Sequence, residues 1–366
     1  RLGGGVGGRV SRDGSIPLGM RIVEPEDPAR GGGRGLLPLA QGLIVPGTGS
    51  VAFLDPATGH VLWERHRVPQ GSEWIADANS LCGCTADGRG SIVLSLDDGR
   101  LLETHDLPNR RQRLATAGRR IVTVHSLDEL PGRFTARQVR LDLVDPVGHR
   151  TVSLGEFSGD SRAVETGDGR LAVLAPDGEL AVFDLADATR VFVSVLPEPP
   201  ARLERLVVQA WHDRYLVLAG CDDHDQVSDI SPLQSLLAGL VMTLPQSISV
   251  WAVDRHDGGL LWPGPARIER QYLLETQPPA APILIFCRLL ESETTGGERR
   301  LSVLAIDKRT GQAVVEDEQV PIRPPLSFGC RVIAEADTHS VTIGGEAGSD
   351  RLKLTFTGQP PPIPEL

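Results

Sequence analysis

Residues 51–63 read VAFLDPATGHVLW, and this segment decides the fold of the chain. The runs 51–54 and 61–63 are rich in strand-forming residues. Between them, residues 55–59 have turn chemistry: Asp55 can accept turn N–H groups, the proline presets φ, and Gly59 tolerates a positive φ. The segment therefore predicts a β-hairpin whose second strand carries a large aromatic side chain, Trp63.

The same spacing recurs twice. Residues 252–262 read AVDRHDGGLLW, and residues 305–315 read AIDKRTGQAVV, with Val315 in the place of the tryptophan. Turn aspartates mark successive units, commonly about forty to fifty residues apart, which is the period at which four-stranded propeller blades repeat. These aspartates are Asp55, Asp97, Asp145, Asp184, Asp254 and Asp307. The one wider gap, before Asp254, contains an insertion. The repeat predicts an all-β fold, a single β-propeller of four-stranded antiparallel blades.

The repeat also sets the expected domain boundaries. Residues 36–358 are expected to form seven blades, or eight if the Gly-rich segment 1–35 adds one. That segment is interpreted as a linker or N-terminal extension, with 9–10 or 20–23 as alternatives for an added strand, and the Pro-rich residues 359–366 as a tail. An insertion at 220–246 interrupts the fifth unit. Apolar residues at helical spacing predict a short helix over 232–244: Leu233, Leu236, Leu237, Leu240 and Val241.

Composition narrows the function classes. The formal net charge of −11 disfavours nucleic acid as a partner, since that role needs a basic stripe. No apolar run is long enough to span a membrane. The five cysteines show no disulfide framework and do not indicate a compartment. Cys82 and Cys84 are interpreted as buried strand residues, with a metal or redox pair as the alternative.

The three hairpin copies resemble the repeats of the pyrroloquinoline-quinone-like β-propeller family, in its non-catalytic branch that includes the lipoprotein of the bacterial outer-membrane assembly machine. The family motif is Ala-x-Asp-x-x-Thr-Gly-Lys-x-x-Trp. Phe53 stands in the Ala place, His60 in the Lys place and Asp257 in the Thr place. The matching residues are Asp55, Thr58, Gly59, Trp63, Asp254, Gly258, Trp262, Asp307, Thr310 and Gly311. The resemblance implies that these residues dock neighbouring blades, and it favours a bacterial cell envelope or periplasm.

The family also contains quinoprotein dehydrogenases, which use calcium, a catalytic Asp and often adjacent cysteines. The chain has no Cys-Cys pair, so no catalytic or cofactor-binding residue is assigned, although calcium and pyrroloquinoline quinone stay open as cofactors. One acidic cluster in the insertion has oxygen ligands at a density that could hold a hard cation, without the spacing of an EF-hand. Its residues are Asp222, Asp223, Asp225 and Asp229.

Three functions are therefore weighed. The favoured hypothesis is a non-catalytic scaffold, one domain of a larger bacterial protein, that binds protein partners at the propeller rims or through the insertion loop. The second is a quinone-dependent dehydrogenase-like enzyme. The third is a cation- or ligand-binding sensor domain that uses the acidic cluster of the insertion.

Overall fold

The computed structural model describes residues 16–17, 37–117, 120–128, 136–221, 247–269, 271–273, 281–290, 299–322, 331–335, 340–344 and 351–355. Over these residues the chain is built from antiparallel strands, with a single 3-10 turn at Arg110–Gln112 and no α-helix. The chain divides into two compact units. The predicted insertion helix and most of the predicted linker and tail lie outside the described residues.

The first unit contains three sheets, each a meander of four strands in chain order. Their strands are β2 (Leu37–Leu39), β3 (Gly42–Pro46), β4 (Ser50–Leu54) and β5 (Val61–His66) in sheet 1; β6 (Glu73–Ala76), β7 (Ser80–Cys84), β8 (Ser91–Ser95) and β9 (Leu101–His105) in sheet 2; and β10 (Arg113–Ala117), β11 (Arg120–Ser126), β12 (Gln138–Asp145) and β13 (Arg150–Ser158) in sheet 3.

Sheets 4 and 5 come next in the chain. Their strands are β14 (Arg162–Glu165), β15 (Arg170–Leu174), β16 (Glu179–Asp184) and β17 (Thr189–Val195) in sheet 4, and β18 (Arg205–Trp211), β19 (Arg214–Cys221), β20 (Ser247–Asp254) and β21 (Ala266–Glu269) in sheet 5. Sheet 4 gains a fifth strand, β1 (Ile16–Pro17), which pairs with β14. The turn 183–190 of sheet 4 groups with the first unit, and the rest of the sheet with the second.

Sheets 6 and 7 complete the second unit. Their strands are β22 (Tyr272–Leu273), β23 (Ile283–Leu290), β24 (Arg299–Asp307) and β25 (Ala313–Ile322) in sheet 6, and β26 (Arg331–Glu335), β27 (Ser340–Gly344) and β28 (Arg351–Thr355) in sheet 7. Seven meanders thus follow one another along the described chain. The prediction of an all-β propeller fold made of successive antiparallel blades is confirmed.

The outer strand of sheet 5 differs from its predicted position. Because residues 252–262 copy the hairpin of residues 51–63, the sequence predicts that residues 260–262 form this strand. In the structure only Leu260 makes an isolated bridge, to Val253, and β21 pairs with residues 247–250 instead. The segment Pro263-Gly264-Pro265 separates the two, since proline cannot donate to a ladder. The outer edge of this sheet is therefore shared by the bridge and a later strand.

Within each unit, the described core lies between neighbouring sheets, because apolar side chains fill both faces of the central strands of sheets 2 and 5. In the first unit, Leu81 and Leu94 of sheet 2 pack with Phe53 and Trp63 of sheet 1. The opposite face of sheet 2 packs with sheet 3 through the cluster Ile75, Cys82, Cys84, Val93, Leu107 and Ile121. Such a sheet buries both faces only when it has a neighbour on each side.

The side chain of Lys308 lies inside the second unit. Lys308 is 1 % exposed, and its Nζ lies 5.7 Å from the centroid of the Trp211 ring, a contact that favours an ammonium group. Burial nevertheless dominates and lowers the pKa of Lys308 to about 7. Folding therefore disfavours the charged form of this residue.

We predict that Lys308→Met changes the pH dependence of stability. Between about pH 7 and pH 10.5 the unfolded chain holds the lysine proton and the folded chain does not, so the wild-type unfolding free energy gains from rising pH. The difference in unfolding free energy between the variant and the wild type should shrink by up to about 1.4 kcal/mol per pH unit. Urea unfolding at several pH values measures it, and a difference that is constant from pH 7.5 to 9.5 would contradict the prediction.

Candidate functional site

The predicted docking residues lie in turns that share one geometry. In the turn of residues 55–59, the Gly59 N–H donates to the Asp55 carbonyl at 2.8 Å and the Asp55 N–H donates to the His60 carbonyl at 2.9 Å. The Asp55 carboxylate accepts the Ala57 N–H at 2.8 Å and the Thr58 hydroxyl at 2.9 Å. These two bonds hold the pKa of Asp55 below its usual value. The carboxylate thus fixes the turn that starts the outer strand.

The equivalent turns of the other sheets share this backbone pattern. The N–H of Gly258 donates to the Asp254 carbonyl at 3.1 Å, and that of Gly311 to the Asp307 carbonyl at 2.9 Å. Six sheets in all have a residue of positive φ at this turn position: Gly59, Gly99, His149, Ala188, Gly258 and Gly311. The repeat is therefore more regular in conformation than in sequence.

An aromatic side chain of one sheet packs on the turn glycine of the next. A Cβ added to Gly99 would lie 2.6 Å from the Trp63 ring, and one added to Gly311 would lie 2.7 Å from the Trp262 ring. Trp63 Nε1 also donates to the Leu96 carbonyl at 2.7 Å. We call these contacts docking pairs; they are Trp63–Gly99, Phe192–Gly258 and Trp262–Gly311. We propose that the docking-motif residues act through them to hold neighbouring sheets together.

Two members of this pattern were not found in the sequence. Phe192 fills the tryptophan position of sheet 4, but its hairpin lacks the Asp-x-x-Thr-Gly signature. Ser95, and not Asp97, takes the turn-aspartate position of sheet 2, because the Gly99 N–H donates to the Ser95 carbonyl at 3.0 Å. Counting back four residues from each turn glycine would have found Ser95.

A second repeated feature is a set of exposed aliphatic side chains at the outer edge of the sheets. They stand two and three residues after the turn glycine, before the docking position. Val61 and Leu62 are 58 % and 55 % exposed, and Val314 is 51 % exposed. We call them the outer aliphatic residues: Val61, Leu62, Leu101, Leu102, Leu260, Leu261 and Val314. Aliphatic side chains kept at one exposed register are typical of a contact surface.

A polar cluster in the second unit has a structural character. The Asp168 carboxylate accepts the Tyr215 hydroxyl at 2.8 Å and Arg255 Nη2 at 2.5 Å, and it also accepts the Thr166 hydroxyl. Burial raises the pKa of Asp168, but these bonds outweigh it, so the pKa lies below its usual value. Arg170 Nη1 reaches the Tyr215 oxygen and the Arg255 carbonyl, both at 3.0 Å. Because the carboxylate is paired and ionised, the cluster holds sheets 4 and 5 in register.

The cysteine pair of β7 is buried. The Cys82 and Cys84 sulfur atoms lie 3.6 Å apart, and each side chain is 1 % exposed. The hydrogen bond with Cys84, together with burial, raises the pKa of Cys82. This thiol is therefore protonated at neutral pH, a poor state for a metal ligand or a nucleophile.

The acidic cluster of the insertion cannot be placed. Asp222, Asp223, Asp225 and Asp229 lie outside the described residues, so the cation site predicted there stays a prediction. The part of the chain that the structure describes includes no helix long and apolar enough to cross a membrane.

Comparisons with known proteins find structural similarity alone. No protein-family model matches the chain, and no curated protein matches it. BamB from Moraxella catarrhalis is 12% identical, with 87% of this chain and 95% of that chain covered and a TM-score of 0.31. The WD40 domain of SCAP from fission yeast is 8% identical, with 88% and 84% covered and a TM-score of 0.40. Similarities this low transfer no function, and the pyrroloquinoline-quinone-like assignment stays a prediction.

We predict that Trp262→Ala destabilises the protein by about 3–5 kcal/mol, since it empties a buried site between two sheets. The matched variant Trp262→Phe keeps a ring on Gly311 but loses the hydrogen bond from Nε1 to the Arg309 carbonyl, 3.1 Å long. It should cost about 1 kcal/mol for that bond plus the smaller ring volume. Urea unfolding measures both. A cost for Trp262→Ala below that of Trp262→Phe would show that Trp262 does not dock the sheets.

Proposed function

We propose that this chain is a non-catalytic propeller scaffold that binds a protein partner through its outer aliphatic residues. The observation that carries the proposal is their common register on successive sheets. Single exposed aliphatic residues are normal on any surface. A repeated pair between the turn glycine and the docking position is a built surface, since water disfavours it in the free protein.

The first unit supports this surface best. Trp63 docks β5 on the turn before β9, so that Val61 and Leu62 lie on one outer strand and Leu101 and Leu102 on the next. Both strands are the last in their sheets, which leaves an edge of backbone N–H and C=O groups beside the aliphatic side chains. An extended apolar segment of a partner suits such an edge, because it adds main-chain hydrogen bonds to apolar contact.

The second unit repeats this arrangement of exposed aliphatic residues on outer strands. Leu260 and Leu261 precede Trp262, which docks on the turn before β25, where Val314 lies. The proposal assigns no catalytic residue and no cofactor. The bacterial origin and the envelope location belong to the family resemblance alone and are part of the proposal.

We predict that Leu62→Glu combined with Leu102→Glu abolishes partner binding without unfolding the chain. Both residues are at least 46 % exposed, so the charges are hydrated in the free protein and buried only in a complex. The wild type and the variant are each used for affinity capture from native cell extract. Every protein that the wild type captures and the variant does not is then purified, and its affinity for both chains is measured by titration calorimetry. The reconstituted affinity should fall at least about tenfold, equivalent to ~1.4 kcal/mol.

The matched control is Leu127→Glu, which puts the same charge on an exposed leucine (41 %) that is not on an outer strand; it should bind like the wild type. Equal binding by the double variant and the wild type would refute the surface. Oxidation of alcohols or sugars by the chain with added pyrroloquinoline quinone and calcium would instead establish the dehydrogenase alternative.

A further inference from the structure

The docking pair between sheets 2 and 3 is replaced by polar residues. Glu103 stands four residues after Gly99, at the position of Trp63 in sheet 1 and Trp262 in sheet 5. His149 stands at the turn-glycine position of sheet 3 and keeps its positive φ of 47°. Where sheets 1, 4 and 5 place an aromatic ring on the turn glycine of the next sheet, sheet 2 places a carboxylate beside an imidazole of sheet 3.

The two side chains meet, and a third joins them. His149 Nε2 lies 2.8 Å from Glu103 Oε2. His105, two residues further along β9 and so on the same side of the strand, places its Nδ1 3.6 Å from Glu103 Oε1. The ring centroids of the two histidines are 5.2 Å apart. One donor atom from each of the three residues lies within 4.8 Å of the other two.

Polar atoms in this cluster lack hydrogen-bond partners. Both ring nitrogens of His105 and the Oε1 atom of Glu103 are shielded from solvent and accept or donate no hydrogen bond within the described structure. The 3.6 Å between His105 Nδ1 and Glu103 Oε1 is too long for one. Native proteins rarely leave such atoms unpaired, and an absent ion is one of the usual reasons.

We propose that Glu103, His105 and His149 bind a divalent transition metal ion of the zinc type. Two imidazoles and one carboxylate form a ligand set that suits such ions, whereas Ca²⁺ and Mg²⁺ prefer oxygen ligands alone. Two ligands at about 2.0–2.1 Å from a tetrahedral ion are about 3.3 Å apart, so small side-chain rotations bring these three donors to an ion. The inference is independent of the interaction surface.

The position of the site defines its effect. Glu103 and His105 belong to the outer strand of sheet 2, and His149 to the turn that starts the outer strand of sheet 3. The ion therefore links two sheets at the junction where the docking pair is missing. Three protein ligands leave a coordination position open, and His149 is 62 % exposed, so solvent or a side chain of a partner can reach the ion.

The test uses the full chain produced without a polyhistidine tag, stripped with a chelator and titrated with Zn²⁺, Co²⁺ and Ca²⁺. We expect one Zn²⁺ per chain, a Co²⁺ visible absorption spectrum of tetrahedral type, and a melting temperature that rises with Zn²⁺ and not with Ca²⁺. Glu103→Gln, His105→Ala and His149→Ala should each weaken Zn²⁺ binding by more than the ~10–100-fold that loss of an outer-shell partner costs.

The matched control is His66→Ala. His66 also lies beside a glutamate on an outer strand, with its Nδ1 3.7 Å from Glu64 Oε1, but no third ligand from the described residues joins that pair. Its removal should leave Zn²⁺ affinity unchanged. Because His149 is exposed, His149→Ala is expected to fold, and circular dichroism checks this. No bound Zn²⁺ in the wild type, or a Zn²⁺ affinity equal to that of the wild type in Glu103→Gln and His149→Ala, overturns the proposal.

Discussion

Sheets 2 and 5 each have two apolar faces, and a single meander can cover neither. At three junctions of the described chain, the contact that brings the next sheet against such a face is the docking pair of an outer-strand aromatic ring and a turn glycine. The glycine has two tasks there, since its positive φ closes the turn and its missing Cβ admits the ring. The ring excludes water from the junction and its Nε1, in Trp63 and Trp262, bonds a backbone carbonyl of the neighbouring sheet. A conformational requirement and a packing requirement therefore meet at one residue, which explains why Asp-to-Gly spacing is the strongest periodic signal in the sequence.

That coupling also decides what could be predicted. Where one hairpin has glycine at the turn position and tryptophan at the docking position, as with Gly59 and Trp63, the sequence shows the unit and its register directly. Where only one is met, the signal fails. Ala188 keeps the turn conformation without glycine, and Phe192 keeps the ring without the tryptophan, so sheet 4 was recognised as a meander but not as a docking unit. In sheet 2 a serine can replace the turn aspartate, because the hydrogen bond from the Gly99 N–H needs only the backbone carbonyl of that residue. The displaced outer strand of sheet 5 has another cause: Pro263 and Pro265 end the pairing that Leu260 begins, and only the later residues 266–269 find partners on β20.

The candidate site was less accessible from sequence for a physical reason. Glu103 and His149 are 46 residues apart, and neither residue type signals a ligand when read alone. Their meaning comes from the repeat: one stands at the ring position and the other at the glycine position of the next sheet. The sequence points instead to the insertion, where acidic residues are dense, because local density is visible without a fold. Once the register of the repeat is known, the docking position of one sheet and the turn-glycine position of the next are known to be in contact. Polar residues at these two positions are therefore neighbours in space although they are distant in sequence.

Adjacent residues of the outer strands have different roles. The docking position must be buried for the sheets to hold together, while the residues just before it are exposed and free of that constraint. Retaining leucine and valine there has an energetic cost in the free protein, so their recurrence argues for a surface that is covered in a complex. At the junction of sheets 2 and 3 the same strand shows Leu101 and Leu102 next to the Glu103 carboxylate and close to His105. An apolar edge and two of the three proposed metal ligands, Glu103 and His105, thus lie side by side on β9. A partner that covers the first would also limit solvent access to the second, and the ion would in turn fix the strand that the partner contacts.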